Sequence, residues 1–193
     1  MLFSGGTIRA NNRSEMEATL VILVPEAEGL VRSFRDRYDP AAKSGMPAHI
    51  TLLYPFKGPD EIDGLVLDTL RDRFSRFQPV KFSLTTINRF PGETLYLVPE
   101  PEDPLRELTL AIWRCYSETP PYRGRYSTII PHLTAAERSG LIGDQELAEI
   151  AREFEQAAEG RLPLQALAAE VTLMDSRSGC WAINPTFRLG QES

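Results

Sequence analysis

The stretch PAHITLLYPF (residues 47–56) and the stretch IPHLTAAE (residues 130–137) hold both histidines of this 193-residue chain. Each places its histidine in the phrase His-x-Thr: His49-Ile50-Thr51 in one, His132-Leu133-Thr134 in the other. Side chains of an extended strand alternate between faces. His49 and Thr51 then share one face while Ile50 and Leu52 take the other, and His132 and Thr134 stand likewise against Leu133 and Ala135. Each phrase therefore offers an imidazole and a hydroxyl from one sheet face, anchored by apolar residues behind. Two such pairs brought together supply a base, an acid and two hydroxyl donors for an anion, a set suited to phosphodiester chemistry without metal. A lone strand histidine is ordinarily structural, its ring satisfied by backbone or water. A chain that spends both of its histidines in one phrase carries a stronger signal.

Outward from these stretches the chain repeats itself. TLVILVPEAEGL begins at Thr19 and TLYLVPEPEDPL at Thr94. Both are β-prone runs ending in Leu-Val-Pro-Glu, at Leu23–Glu26 and at Leu97–Glu100. Proline and acidic residues then open a helical pattern. Leu30, Val31, Phe34 and Tyr38 mark the buried stripe of the first helix, and Leu105, Leu108, Ile112 and Tyr116 that of the second. Each helix leads to a His-x-Thr strand, and each strand to a further helix, over 60–77 and 144–158. Strands from Val80 and Leu164 follow, with turns at Pro91-Gly92-Glu93 and Arg177-Ser178-Gly179, and the last strand spans 181–189. The order β-α-β-α-β-β thus occurs twice, offset by 74 residues at Leu-Val-Pro-Glu and 83 at His-x-Thr, a longer second loop supplying the difference. This predicts an α+β fold, bilobal with a pseudo-two-fold axis. Each lobe is a small, mostly antiparallel sheet with two helices on one face, and a cleft lies between. Residues 16–189 are assigned to one such bilobal domain and residues 1–15 to a polar leader.

Composition narrows the functions. The chain carries 21 Lys and Arg against 27 Asp and Glu, a formal charge of −6. Tight non-specific nucleic-acid binding, which needs a basic face, is not expected; a local pocket for a small phosphate ester or an RNA end is compatible. No run approaches the roughly 18–20 apolar residues of a membrane span, and a cytoplasmic monomer is expected. Cys115 and Cys180 lie far apart and, with two separated histidines, write no zinc constellation. Both cysteines read as small core residues.

On the paired His-x-Thr motifs and the duplication, the chain resembles the 2H phosphoesterase superfamily, which includes 2′-5′ RNA ligase-like proteins and cyclic phosphodiesterases. The resemblance runs from about Glu17 to Leu189. It implies an enzyme that needs no metal or other cofactor and opens 2′,3′-cyclic phosphates or related cyclic phosphodiesters, reversibly as 2′-5′ RNA ligation. His49 and His132 match the catalytic histidines, and Thr51 and Thr134 the hydroxyls that hold phosphate oxygens. Family analogy gives water activation to the second motif, while the residues alone leave the assignment of base and acid open. Many relatives carry a basic residue soon after the second motif; here Glu137 stands there, with Arg138 next. The rival reading is a nucleotide or RNA-end binding module of the same fold without turnover.

The loop PPYRGRY (residues 120–126) offers further substrate contacts, and Arg125 and Tyr126 are the expected ones, clamping a phosphate and stacking on a base. Phe56 is placed at the cleft mouth, and Tyr54 in the core. Tyr96 shares a face with Thr94 and Val98, but the sequence does not say which way that face looks. Arg71, Arg73 and Arg76, set among Asp68 and Asp72, read as a solvated helix face.

Overall fold

The computed structural model describes residues 16–90, 94–137 and 144–190. The polar leader, the turn at Pro91, Gly92 and Glu93, and Arg138 lie outside the described residues. Strand β1 (Ala18–Leu23) is an apolar run with nearly every side chain buried, as a strand covered on both faces requires. Pro25 ends it by opening α1 (Pro25–Tyr38), with Glu26 and Glu28 in the first turn and Arg35 and Arg37 in the last, complementing the helix dipole. A single turn, α2 (Pro40–Lys43), leads to the first motif strand, β2 (His49–Leu53). Then come a 3-10 turn (Pro59–Glu61), α3 (Gly64–Ser75), β3 (Val80–Phe90) and β4 (Thr94–Glu100). Helix α4 (Asp103–Cys115) and a second 3-10 turn (Pro121–Gly124) precede the second motif strand, β5 (Leu133–Glu137). The chain closes with α5 (Asp144–Ala158), β6 (Leu164–Ala168), β7 (Glu170–Asp175) and β8 (Ala182–Arg188).

The expected α+β class holds, with corrections of detail. The helix anticipated from residue 60 starts at Gly64, because the Asp63 carboxylate accepts from the Val66 amide at 2.9 Å and caps it there. The strand anticipated from Leu164 is two strands, which pair on different parts of the sheet: β6 on β3, and β7 on β1 and β8. Strand β7 escaped the reading because five of its six residues are buried, which erases the alternation that marks a half-covered strand. Cys115 packs against the core as expected, whereas Cys180 is exposed, in the turn before β8.

The two small sheets foreseen are one. All eight strands form a single sheet in the order β6-β3-β4-β5-β2-β1-β7-β8, every pairing antiparallel. The halves join where β2 pairs with β5, Ile50 opposite Leu133. That pairing removes the open edge each motif strand would otherwise present. Helices crowd one face. Helix α1 packs on β5 and α4 on β2, so each half's first helix covers the other half's motif strand. Ile50, Leu53, Leu133 and Ala135 are buried on that side with Leu30, Phe34, Leu108 and Phe154. The opposite face carries the motifs, beside a small buried cluster of Val21, Met46 and Met174.

Candidate active site

Continuing the Ile50–Leu133 register by one residue each way sets His49 opposite Thr134 and His132 opposite Thr51. Facing residues of an antiparallel pair share a side. Both histidines and both threonines therefore stand on one face, with about 7 Å between the diagonal histidine β-carbons. All four are partly buried, while Ile50, Leu52 and Leu133 behind them are fully buried. The structure thus brings together the four motif residues read from sequence.

The two rings are held alike. Nδ1 of His49 lies 2.8 Å from the Pro47 carbonyl, and Nδ1 of His132 lies 2.8 Å from the Ile130 carbonyl. A carbonyl only accepts, so Nδ1 carries the hydrogen in both rings, and each neutral ring keeps its Nε2 lone pair free for proton transfer. The segment before His49 is pinned three times. The Glu28 carboxylate accepts from the Ala48 amide at 2.6 Å, the Ala48 carbonyl accepts from Val24 at 2.9 Å, and Arg35 donates to the Met46 carbonyl at 3.0 Å. Arg35 is itself buried, 2.9 Å from Asp39, with each side chain 3% exposed. Burial lowers the His49 pKa to about 4, with the Arg35 charge adding to the effect; the Pro47 carbonyl and Asp39 oppose it. Burial also lowers that of His132, opposed by the Ile130 carbonyl.

Matching irregularities follow the two motifs. In β2 the pairing with β1 shifts at Leu52, so that Thr51 faces Val21 while Leu53 faces Leu20. In β5 the pairing with β4 shifts at Ala135, so that Thr134 faces Tyr96 while Ala136 faces Leu95 and Glu137 faces Thr94. An extra residue of this kind re-aims the side chains that follow it. Tyr54 and Glu137, each five residues beyond its motif histidine, are thereby turned to the histidine face. The Tyr54 hydroxyl donates to Glu17 at 2.6 Å, and burial together with this bond holds its phenol above the ordinary range. Glu137 also opposes ionisation of both Tyr54 and Tyr122.

On the other flank His132 sits in an aromatic corner. Phe90 meets it edge-on at 5.1 Å, Tyr96 lies 5.2 Å away, and the two aromatics stack at 4.4 Å. The open question about Tyr96 is answered: its face is that of the histidine. Phe56 requires a correction. It is 4% exposed and packs edge-on against Tyr116 at 5.2 Å, so it sits in the core and not at an open mouth. Tyr54, expected in the core, is only partly buried. Arg125 is exposed with its guanidinium 5.3 Å over the Tyr126 ring, and Tyr126 is 49% exposed. The loop residue tied to the end of the first motif strand is Tyr122, whose amide donates to the Tyr54 carbonyl at 2.6 Å. Sequence reasoning named its neighbours and missed it, because a loop has no periodicity to say which ring turns inward.

A sheet bearing paired His-x-Thr motifs on its open face defines the two-histidine phosphoesterase class of fold. A model of the 2′-5′ RNA ligase superfamily matches residues 23–179, and the chain belongs to that superfamily. A Bacillus pumilus protein named "Putative phosphoesterase" is 27% identical over 183 residues, covering 89% of this chain and 97% of that protein. A second so named, from Bacillus licheniformis, is 27% identical over 181 residues, covering 88% and 97%. Among solved structures, Thermus thermophilus TT0787 matches with a TM-score of 0.58 at 17% identity, covering 91% of this chain and 100% of that one. Escherichia coli LigT complexed with 3′-AMP matches with a TM-score of 0.57 at 17% identity, covering 91% and 99%. At these identities the solved structures share the fold. Among the described residues no helix is long and apolar enough to cross a membrane.

Proposed function

We propose that this protein is a phosphoesterase that opens 2′,3′-cyclic phosphates, on nucleotides or at RNA ends, by two-histidine general acid–base catalysis. The observation that carries the reading is the shared face of His49, Thr51, His132 and Thr134, with both Nδ1 atoms tied to carbonyls and both Nε2 atoms left for the substrate. His49, whose protonated form the buried Arg35 charge disfavours along with burial, is assigned the base. It takes a proton from water, and the water oxygen bonds to phosphorus. The bond from phosphorus to one ribose oxygen breaks, and His132 gives that oxygen a proton. Thr51 and Thr134 donate to the two oxygens that do not bridge to ribose. Proton exchange with solvent restores both rings. This assignment reverses the order suggested by family analogy. Where a ribose 5′-hydroxyl takes the place of the water and the bond from phosphorus to the 3′ oxygen breaks, the same ring opening joins the two through a 2′-5′ linkage, which is ligation.

Supporting context comes from the similar proteins named as phosphoesterases and from LigT structures complexed with 3′-AMP and ATP. Arg125 and Tyr126 are the loop residues offered to the rest of the substrate. The test is a panel of 2′,3′-cyclic nucleotides followed by phosphorus NMR, with and without EDTA. Conversion to a monophosphate that EDTA leaves intact is expected. Binding without conversion of any nucleotide favours the binding module instead, and abolition by EDTA rules out a mechanism without metal.

A further inference from the structure

The approach to each motif histidine is held by an arginine from the first long helix of its half. Arg35 of α1 donates to the Met46 carbonyl at 3.0 Å, three residues before His49. Arg106 of α4 donates from Nε to the Ile129 carbonyl at 2.9 Å, three residues before His132. The duplication does not deliver this match. At the offset of 74 residues Arg35 corresponds to Thr109, and Arg106 to Arg32, whose side chain is 77% exposed and 3.8 Å from Asp36. The two halves therefore reach the same contact from different turns of their helices. A cation this close to a helix N-terminus opposes the dipole, so Arg106 does not serve the helix by its charge. Glu102 and Asp103 pair with it there and leave Nε to the Ile129 carbonyl.

We infer that Arg106 is a positioning residue for His132, fixing the Ile129 carbonyl so that the next carbonyl, that of Ile130, holds the imidazole by Nδ1. The inference rests on the phosphoesterase reading and adds a residue to it. Residues 123–128 are all exposed, so burial does not direct the chain as it arrives. From Ile129 onward the backbone is stiff. Ile130 precedes a proline and is confined to extended conformations, and the ring of Pro131 fixes its own φ. A peptide held at Ile129 thereby sets the Ile130 carbonyl, which lies 2.8 Å from Nδ1 of His132. Pro131 also lacks the amide hydrogen that Ala48, before His49, donates to Glu28. The second motif has one pin fewer at that place, and more of the task falls to Arg106.

The experiment records the imidazole nitrogen NMR signals of wild type, Arg106→Met and Arg32→Met at about pH 8, where both rings are neutral. It also measures their turnover of 2′,3′-cyclic AMP. With two histidines in the chain, His49→Ala assigns the signals. Methionine keeps much of the arginine stem and removes its donors. Wild-type His132 is expected with its hydrogen on Nδ1 alone, and Arg106→Met with a mixture of the two tautomers while His49 is unmoved. A roughly tenfold fall in kcat with KM within about twofold is expected beside it, because the aim of the ring is disturbed and substrate binding is not. Arg32→Met is expected to match wild type throughout. An unchanged His132 signal or an unchanged kcat in Arg106→Met overturns the inference. So does an equal disturbance of His49, which marks a general contact of the fold, or the same change in Arg32→Met. Should even wild type convert no nucleotide, the spectra decide separately. A change confined to His132 in Arg106→Met then upholds the positioning role while the cyclic-phosphate reading fails, and identical spectra overturn the role as well.

Discussion

Two imidazoles in the same backbone setting are not equivalent here. Both donate from Nδ1 to the carbonyl two residues before, yet His49 also feels the buried Arg35 charge and falls to about 4. The proton acceptor must be neutral, so kcat/KM is expected to fall as pH drops through about 4. The donor must be protonated, so kcat/KM is expected to fall as pH rises through the lowered pKa of His132. The optimum then lies on the acid side of the ordinary histidine value of roughly 6.5, and the two limbs belong to the coupled pair. An optimum well above that value contradicts the assignment. Stability follows the same sign. The unfolded chain takes up the His49 proton from about pH 6.5 downward while the folded chain resists until about 4. This contribution to stability is therefore full above the first value and lost towards the second.

Among the elements, the segment from α1 to β2 does most to place His49. The Arg35–Asp39 pair is sealed from water, and the Asp39 carboxylate also accepts from the Ala41 amide at 2.8 Å to cap α2. Asp39→Ala strands a buried guanidinium and is expected to cost about 3–5 kcal/mol in denaturant unfolding; a loss below about 1 kcal/mol shows the charge to be hydrated after all. Arg35→Met removes the cation that depresses His49, so the acid limb of the pH–rate profile is expected to move upward. An unmoved limb in a folded variant shows burial alone sets that pKa. None of this was legible in sequence. Arg35 and Asp39 sit four apart and read like any exposed helix pair, such as Arg76 and Asp72, 2.7 Å apart on the surface of α3. Only the tertiary packing separates the two cases.

At the scale of the molecule, the duplication was the legible part. The repeated Leu-Val-Pro-Glu and His-x-Thr phrases foretold the α+β class and the convergence of four motif residues from strands some 80 residues apart. The joining of the halves into one sheet was not legible, because nothing in the HITLL or LTAAE segments tells an edge strand from a central one. Nor were the extra residues at Leu52 and Ala135, which bring Tyr54 and Glu137 onto the histidine face. A bulge is a register event between strands and leaves no mark in either alone. The net charge of −6 bears on substrate size. Turnover of a cyclic mononucleotide is expected to change less than about tenfold between roughly 50 and 200 mM salt, where a protein gripping many phosphates loses orders of magnitude. A steep loss points to a long RNA substrate.

Most direct is a comparison of wild type, His49→Ala, His132→Ala and the double variant on one 2′,3′-cyclic nucleotide, with turnover followed by phosphorus NMR. Each single change is expected to lower kcat by roughly two to four orders of magnitude. The double variant is expected to be about as slow as the slower single, since an acid and a base working on one phosphorus are lost together. Near-normal turnover in either single variant, or losses that multiply in the double, contradicts a site built from two cooperating histidines.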